Sequence, residues 1–253
     1  MAEMKAIRVH QYGGPEQLRF EDTSAPNPAD GQVLVRVQAA SVNPIDYKLA
    51  SGALRQLMPL SFPWVPGGDF AGVVEAVGRG VTTMKRGDAV YGDTPGGSSY
   101  AEFVTTGAGM VAPKPGKLNP VEAASVPIAA QTAWQGLFDH GHLERGQTVL
   151  IHAAAGGVGT FAVQLAHWKG ARVLATASAA NADYVRGLGA DQVIDYKATR
   201  FESVAKNVDL VLDLAGGETQ QRSFSVLKPG GRLVSTVQPP SKEEAARDRK
   251  SVV

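Results

Sequence analysis

The segment that decides the fold is Gln147-Thr-Val-Leu-Ile-His-Ala-Ala-Ala-Gly-Gly-Val-Gly-Thr-Phe-Ala-Val-Gln-Leu-Ala-His-Trp-Lys-Gly170. It starts with a short apolar run, Thr148 to Ile151, which predicts a buried parallel strand. A turn of small residues follows, and apolar residues then recur at helical spacing until Gly170 ends the helix. The order strand, glycine-rich turn, helix predicts a site for the pyrophosphate of a dinucleotide. Glycine lets a phosphate approach the backbone, and a helix N-terminus offers free N–H groups.

The turn follows the pattern G-x-G-x-x-G, with Ala154 at the first glycine position and Gly156 and Gly159 at the other two. Taken alone the pattern is weak, because a flexible glycine turn in any α/β protein resembles it. The residues predicted to contact the pyrophosphate are Ala155, Gly156, Gly157, Val158 and Gly159.

The charge balance and the composition exclude several classes of function. Lys plus Arg number 25 and Asp plus Glu number 24, which argues against nucleic acid or an anionic membrane as the main partner. The absence of cysteine excludes disulfides, thiolate zinc sites and a cysteine nucleophile. No apolar run has the length of a membrane span, and the N-terminus lacks a signal-peptide pattern. We therefore expect a cytoplasmic protein.

The first part of the chain predicts a barrel-like β domain over residues 1–115, because short strand-like stretches alternate with Gly/Pro turns. One predicted helix, Pro44 to Ser51, interrupts it. The predicted strands are Lys5–His10, Leu18–Glu21, Gln32–Ser41, Gly72–Val77, Ala89–Tyr91 and Tyr100–Thr105.

Residues 116–253 predict a second, α/β domain with a doubly wound parallel sheet. A helical stretch from Pro120 to His140 precedes a regular alternation of strands and helices. The predicted strands are Thr148–His152, Arg172–Ala177, Gln192–Tyr196, Val208–Leu214 and Gly231–Val237. The predicted helices are Thr160–Trp168, Asn181–Leu188, Phe201–Ala205 and Thr219–Leu227.

The end of the second predicted strand carries the signal for cofactor choice. A site for NAD usually places Asp or Glu there to hold the ribose hydroxyls, whereas Ala177 is followed by Ser178-Ala-Ala-Asn181, without an acid. The missing carboxylate removes a repulsion against a 2′-phosphate and favours NADPH. Ser178 and Asn181 can donate to that phosphate and Tyr196 can reach it; the alternative is that all three are solvated loop residues. Ala215 and Val237 complete the predicted cofactor-binding set.

Several co-linear segments resemble one family, the zinc-free branch of the medium-chain dehydrogenase/reductases with the quinone oxidoreductases and ζ-crystallin. The similarity runs from residue 4 to about residue 237. It implies a GroES-like β domain followed by a Rossmann domain, and full-length relatives that are often homodimers. The matching segments are Ser41-Val-Asn-Pro-Ile-Asp-Tyr-Lys48, Pro66-Gly-Gly-Asp-Phe-Ala-Gly-Val-Val74, Gly87-Asp-Ala-Val-Tyr-Gly92, Ser99-Tyr-Ala-Glu-Phe103, Ala130-Gln-Thr-Ala-Trp134 and the turn Ala153–Gly159.

The resemblance also implies that no metal takes part. Zinc-dependent members of the superfamily hold their catalytic metal through a Cys and a Gly-His-Glu segment. This chain has no Cys, and Gly68-Asp69-Phe70 stands where that segment would be. His140 and His142, on either side of Gly141, are expected to be surface residues rather than metal ligands.

Without a metal, the protein must polarise an acceptor by hydrogen bonds or a cation, which favours quinones and α,β-unsaturated carbonyls as substrates. By resemblance, Asn43 lines the nicotinamide side of the pocket and Thr132 contacts the nicotinamide or its ribose. Lys48 stands where many relatives carry a Tyr, so it is the candidate for polarising the carbonyl or relaying a proton, and Tyr47 competes with it.

Each of these residues also has a purely structural interpretation. Asn43-Pro44 has the form of a helix cap followed by a first-turn proline, Asp46 suits the first turn, and Lys48 can be a solvated helical residue. The aromatic side chains of Trp64 and Phe70 are either walls of the acceptor pocket or part of the core.

Three other functions remain open at this point: an enoyl-thioester reductase, a non-catalytic NADPH-binding protein of the ζ-crystallin kind, and an inactive fragment. Asn181 is a departure from relatives that carry a Lys there for the 2′-phosphate, which weakens the preference for NADPH without reversing it.

The C-terminal residues 248–253 match the translation of a common sequencing adapter, and we interpret them as adapter read-through in a truncated gene. Relatives continue beyond the fifth Rossmann strand with a sixth strand and a segment that returns to the first domain. We therefore expect the edge of the fifth strand to be open, and dimerisation, which commonly uses the sixth strand, to be in doubt.

Overall fold

A computed structural model describes residues 3–247 and 250–253. The chain forms two compact units, one up to Ile128 and the other from Ala129. The predicted boundary after residue 115 lies earlier in the chain. Ala123 and Ala124 pack on Ala71, so the first helix after that point belongs to the first unit.

The first unit contains seven strands and two complete helices. A five-stranded antiparallel sheet has the order β6-β3-β4-β5-β7, and β1 and β2 form a separate antiparallel pair. Isolated bridges from Ala6 to Ala101 and from Val9 to Trp64 connect the pair to the rest of the unit. The elements are β1 (Glu3–Arg8), β2 (Arg19–Ser24), β3 (Gln32–Ala40), α1 (Pro44–Ala50), β4 (Asp69–Val77), β5 (Ala89–Asp93), β6 (Phe103–Gly107), β7 (Val111–Pro113) and α2 (Pro120–Ala124).

The six predicted strands of this unit are present with shifted ends, and the short strand β7 was missed. Val90 pairs with Pro113 in β7, so the sheet extends almost to the predicted boundary after residue 115. The core of the unit consists of β-branched and aromatic residues that alternate along the strands, as expected for a sheet with one buried face: Val33, Val35, Phe70, Val74, Val90 and Val104.

The second unit is a parallel six-stranded sheet with the order β10-β9-β8-β11-β12-β13, which confirms the predicted doubly wound architecture. The direction of winding reverses between β8 and β11, and ligands of open α/β sheets bind beside such a point. The elements are α3 (Pro127–Trp134), β8 (Thr148–Ile151), α4 (Gly157–Lys169), β9 (Arg172–Ala177), α5 (Ala182–Gly187), β10 (Gln192–Asp195), α6 (Phe201–Val204), β11 (Val208–Asp213), α7 (Gly217–Ser223), β12 (Leu227–Ser235), α8 (Lys242–Arg247) and β13 (Ser251–Val252).

The predicted helical stretch from Pro120 to His140 is divided into three pieces. α2 ends at Ala124, α3 begins at Pro127, and a π-helical turn over Gln135–Asp139 continues it. A proline has no N–H to continue a preceding helix, so Pro127 starts a new one.

The prediction that the edge of the fifth Rossmann strand is open is wrong for residues 232–235. Ser251 and Val252 pair in parallel with Arg232 and Leu233. Ser235 N also donates to the carbonyl oxygen of Val253 at 3.0 Å. The last residues of the chain thus supply the backbone groups that this part of β12 requires. Within the adapter-like segment, Asp248 and Arg249 lie outside the described residues, and the interpretation as read-through stays a prediction about the gene.

No helix among residues 3–247 and 250–253 is both long enough and apolar enough to cross a membrane.

Candidate active site

The glycine-rich turn lies at the carboxyl end of β8, beside the point where the winding reverses. Ala153 takes the left-handed conformation with φ of 49°, and Ala154 is fully buried with its N–H bound to the carbonyl oxygen of Thr176 at 3.0 Å. The tight turn is therefore made at Ala153, one residue before the first glycine position of the motif. This explains why alanine suffices at position 154.

The helix α4 begins at Gly157, with Gly156 as its N-cap, and not at Thr160 as predicted. No atom lies within 4 Å of the place where a Cβ of Gly157 would be, whereas a Cβ on Gly159 would lie 2.4 Å from the carbonyl oxygen of Ala153. Gly157 thus leaves space in front of the helix N-terminus, and Gly159 permits close packing of the helix on the turn. This open cradle of backbone N–H groups fits a pyrophosphate.

The residues predicted to contact a 2′-phosphate lie around the carboxyl ends of two neighbouring strands. Asn181 N donates to the carbonyl oxygen of Ser178 at 3.0 Å, and Tyr196 N donates to that of Ala177 at 3.3 Å. Ser178 is half-buried, while Asn181 and Tyr196 are exposed. Among the described residues, the Ser178 and Asn181 side chains have no hydrogen-bond partner, so both remain available to a ligand. Thr132, in α3, is half-buried in the same unit.

The loop after β11 is organised by Asp213, a residue absent from the set predicted from sequence. Its carboxylate is fully buried and accepts hydrogen bonds from the N–H groups of Ala215 and Gly216, at 3.0 and 2.8 Å. It also accepts from Ser235 Oγ at 2.8 Å, which ties the loop to the end of β12. The only sequence signal is a single acid that ends an apolar strand.

Ala215 and Val237, the last two predicted cofactor residues, are both exposed. Val237 lies two residues beyond the end of β12 and not inside the strand, as predicted. A Cβ on Gly216 would lie 2.8 Å from a methyl carbon of Val237, so the ends of β11 and β12 meet in this unit.

A second missed residue, His152, lies below the turn. It is buried, with Nδ1 3.1 Å from Thr176 Oγ1 and Nε2 2.9 Å from Ser223 Oγ. Burial lowers the pKa of His152 to about 4, so the ring is neutral near pH 7. It links β8, β9 and α7 beneath the candidate pyrophosphate site.

In the first unit, Asn43 caps a helix and also carries a side-chain amide that donates to a buried carboxylate. It is the N-cap of α1, and its backbone N–H donates to the buried carboxylate of Asp46 at 2.7 Å, which confirms the capping interpretation. Its side-chain nitrogen donates to Asp69 Oδ2 at 2.9 Å. Asp46 lies in the first turn of α1, as expected, and it is buried, which raises its pKa.

Lys48 and Tyr47 lie side by side on α1 in different surroundings. Lys48 is half-buried, and no described residue forms a hydrogen bond or ion pair with its ammonium group. Tyr47 is 60% exposed and lines a cavity of 520 Å³ with Leu18, Val42 and Pro66. Lys48 is not among the residues that line this cavity.

The two aromatic candidates for the acceptor wall belong to the core instead. Phe70 is fully buried among the valines of the five-stranded sheet, and Trp64 is 9% exposed with its indole N–H bound to the carbonyl oxygen of Gly96 at 2.6 Å. The interpretation of these rings as pocket walls is therefore wrong.

The donor set for a catalytic zinc does not fit. The phenyl ring of Phe70 cannot bind a metal, and the Asp69 carboxylate already accepts three hydrogen bonds from protein groups. His140 and His142 are exposed, as expected. Within residues 3–247 and 250–253, no group of three His, Asp or Glu side chains is arranged to hold a metal ion.

The two units define a class: a Rossmann sheet with a dinucleotide cradle, combined with an antiparallel β unit that carries polar side chains at the start of α1. Two family models match the chain. Residues 29–116 match "Alcohol dehydrogenase GroES-like domain", and residues 157–249 match "Zinc-binding dehydrogenase".

Similarity to known proteins identifies the family within this class. A chloroplastic quinone-oxidoreductase homolog from Spinacia oleracea is 36% identical over 251 residues, covering 94% of this chain and 76% of the relative. The solved quinone oxidoreductase from Coxiella burnetii is 38% identical with a TM-score of 0.91, covering 99% of this chain and 82% of that one. A mycobacterial protein solved in complex with NADPH is 34% identical with a TM-score of 0.86, covering 99% and 80%. The chain belongs to the quinone oxidoreductase-like family of the medium-chain dehydrogenase/reductase superfamily. Its members are oxidoreductases with a Rossmann domain for a nicotinamide dinucleotide.

Proposed function

We propose that this protein is an NADPH-dependent reductase of quinones or α,β-unsaturated carbonyls that works without a metal. The observation that carries the proposal is the open cradle at Gly156 and Gly157, at the N-terminus of α4 and beside the winding reversal of the sheet. The names of the relatives support the substrate class, and the mycobacterial structure with NADPH supports the cofactor.

The cofactor-binding residues proposed in the second unit divide by the part of the dinucleotide that each would hold. The N–H groups of Ala155, Gly157, Val158 and Gly159 would hold the pyrophosphate, with Gly156 in contact through Cα, because the Gly156 N–H already donates to the carbonyl oxygen of Ala153 at 3.0 Å. Ser178, Asn181 and Tyr196 would hold the adenosine 2′-phosphate, because Ser178-Ala-Ala-Asn181 contains no acid to repel it. Thr132, Ala215 and Val237 would contact the nicotinamide half.

The nicotinamide, when bound, supplies a hydride. The chain's own part is to orient the acceptor and to stabilise charge on its oxygen. The half-buried ammonium group of Lys48 would stand near that oxygen and deliver a proton, with Tyr47 or water as the other source. The apolar cavity beside Tyr47 would receive the ring or chain of the acceptor.

A fluorescence titration with NADPH, and separately with NADH, tests the cofactor. We expect saturable binding to both with a lower Kd for NADPH. A lower Kd for NADH would contradict the assignment of the 2′-phosphate site, and no binding to either would contradict the cofactor site itself.

An acceptor screen under NADPH tests the reaction. We expect oxidation of NADPH with 1,4-benzoquinone and with 2-hexenal, and weaker or no oxidation with crotonyl-CoA, which represents the enoyl-thioester alternative. NADPH binding without any turnover would favour the non-catalytic binder. Turnover that survives an excess of EDTA would support the metal-free mechanism, and loss of turnover restored by zinc would contradict it.

A further inference from the structure

The carboxylate of Asp69 is a buried charge with three donors. It lies at the start of β4 and is fully buried. Oδ2 accepts from Ser41 Oγ at 2.6 Å and from Asn43 Nδ2 at 2.9 Å, and Oδ1 accepts from Ile128 N at 2.8 Å. Burial raises the pKa of Asp69, and the hydrogen bonds from Ser41, Asn43 and Ile128 oppose that shift. Because the NH2 group of the amide and the backbone N–H can only donate, these contacts suit the ionised carboxylate.

This carboxylate decides which way the amide of Asn43 points. The two ends of an Asn side chain have almost the same shape, so a neighbouring group must select one orientation. The observed orientation places Nδ2 next to Asp69 Oδ2. The flipped amide would place Oδ1 against a carboxylate oxygen, with no hydrogen between two acceptors, and would leave a buried charge with a lost donor.

One N–H of Asn43 remains after these contacts. Nδ2 lies 2.9 Å from Asp69 Oδ2 and 3.0 Å from Ser41 Oγ, and those two oxygens are only 2.6 Å apart. The three atoms form a nearly equilateral triangle, so the two oxygens are separated at Nδ2 by only about half the angle between its two N–H bonds, and one N–H shared between them can serve both. An amide nitrogen carries two donors that point in different directions, and no described residue accepts from the second.

We propose that Asp69, together with Ser41, is a positioning residue that fixes the Asn43 amide so that its second N–H donates to the oxygen of the acceptor. The inference rests on the proposed reductase function. It gives Asn43 the role of a hydrogen-bond donor where charge develops, and it gives the buried acid at position 69 a part in the reaction as well as in the fold.

A swap of donor and acceptor separates the two parts of the proposal. In the double variant Asn43→Asp/Asp69→Asn, the introduced amide at position 69 donates to the introduced carboxylate at position 43. The Ser41 hydroxyl then donates to the carboxylate at position 43 and accepts from the amide at position 69. The N–H of Ile128 donates to the amide oxygen at position 69. The buried triangle is restored, but the side chain at position 43 no longer carries an N–H.

Thermal unfolding of the wild type, the two single variants and the double variant gives the first readout, which needs neither cofactor nor turnover. We expect each single variant to lower the Tm. Asn43→Asp places two carboxylates next to each other, and Asp69→Asn places two amides next to each other. The double variant should recover most of the loss. Additive losses without recovery would overturn the hydrogen-bonded triangle as the device that orients Asn43.

Turnover with NADPH and 1,4-benzoquinone gives the second readout. We expect Asp69→Asn to lower kcat by about tenfold or more with little change in the Kd of NADPH. The double variant should stay equally slow although its Tm has recovered. Recovery of kcat together with the Tm would overturn the donor role of Asn43.

Asp46→Asn is the matched control, because Asp46 is the other buried carboxylate that binds Asn43, through the backbone N–H instead of the amide. It should lower the Tm to a similar extent and kcat much less than Asp69→Asn does. An equal loss of kcat in both variants would reduce Asp69 to a structural residue.

If the single variants do not fold, NMR of the wild-type chain decides the matter. The two side-chain amide protons of Asn43 should differ, with one protected from exchange by Asp69 and the other exposed. Equal, fast exchange of both would overturn the proposal. A wild type that binds no NADPH would contradict the proposed function, while the Tm cycle and the NMR measurement would still test the orientation of Asn43.

Discussion

Gly159 and Ala153 are in backbone contact: a Cβ added to Gly159 would lie 2.4 Å from the carbonyl oxygen of Ala153 and 2.7 Å from Cα of Ala154. The helix α4 therefore packs directly on the turn that precedes it. Two residues earlier, at Gly157, the same addition meets nothing within 4 Å. The two glycines of one motif thus differ: Gly159 lets the helix pack on the turn, and Gly157 leaves open space at the helix N-terminus.

This difference predicts that a substitution at Gly159 lowers stability, whereas one at Gly157 weakens cofactor binding. Gly159→Ala should lower the free energy of unfolding by about 2 kcal/mol, because the contacting atoms belong to the backbone and cannot move aside without distorting the turn. Gly157→Val should leave the Tm almost unchanged and should raise the Kd of NADPH at least tenfold, because the side chain occupies the pyrophosphate cradle. Thermal unfolding and fluorescence titration of both variants check this. Normal NADPH binding by Gly157→Val would show that the cofactor lies elsewhere.

The role of Lys48 can be separated into charge and proton transfer. Lys48→Ala should lower kcat by about ten- to a hundredfold with nearly unchanged Kd for NADPH, as expected for the loss of a general acid or a polarising cation. Lys48→Arg keeps the charge without an easily lost proton, so it should retain activity only if Lys48 acts by its charge. Tyr47→Phe is the comparison for the competing candidate. Steady-state kinetics with 1,4-benzoquinone measures all three, and unchanged turnover in Lys48→Ala would make Lys48 an ordinary helical residue.

The choice between NADPH and NADH should depend on the end of β9. Ser178→Asp introduces a carboxylate where sites for NAD hold the ribose hydroxyls, so it should raise the Kd of NADPH about tenfold or more and lower that of NADH. Asn181→Lys should have the opposite effect on NADPH, because it adds a cation for the 2′-phosphate. The ratio of the two Kd values is the measurement. A ratio that neither substitution changes would move the 2′-phosphate away from these residues.

The buried ring of His152 predicts an acid-sensitive second unit. Its pKa of about 4 in the folded state lies below the unfolded value of 6.5, with burial as the main cause. Arg222 lowers the pKa further, while Asp213 and Glu202 raise it. The folded state therefore disfavours the charged ring. Stability from this residue is complete above about pH 6.5 and is lost as the pH falls towards 4, by a total on the order of 3 kcal/mol.

Urea unfolding at several pH values checks this, with His152→Gln compared against the wild type. The wild type should lose more stability than the variant between pH 7 and 4.5, although the variant is less stable at pH 7. His140→Gln, at an exposed histidine, serves as the control and should follow the wild type. Parallel curves for wild type and His152→Gln would mean that the ring is not held neutral.

The predictions from sequence succeeded where a local pattern carries the information. The run Thr148–Ile151, the glycine turn and the periodic helix lie within one continuous segment, and the regular alternation that follows specifies a doubly wound sheet. The capping role of Asn43 was predictable for the same reason, because Pro44 and Asp46 are its neighbours in the chain. The ends of elements were less well predicted: α4 begins at Gly157, and β12 ends before Val237.

Contacts between distant residues were decided by the tertiary structure alone. Asn43 meets Asp69 across 26 positions of sequence, Ser235 meets Asp213 across 22, and His152 meets Ser223 across 71. The sequence by itself determined the two fold classes and the place of the glycine-rich turn, because periodicity and turn chemistry act over a few residues. Only the packing of strands and helices determined which polar groups became buried together. A buried carboxylate or imidazole needs partners, and the fold alone brings those partners within hydrogen-bond distance.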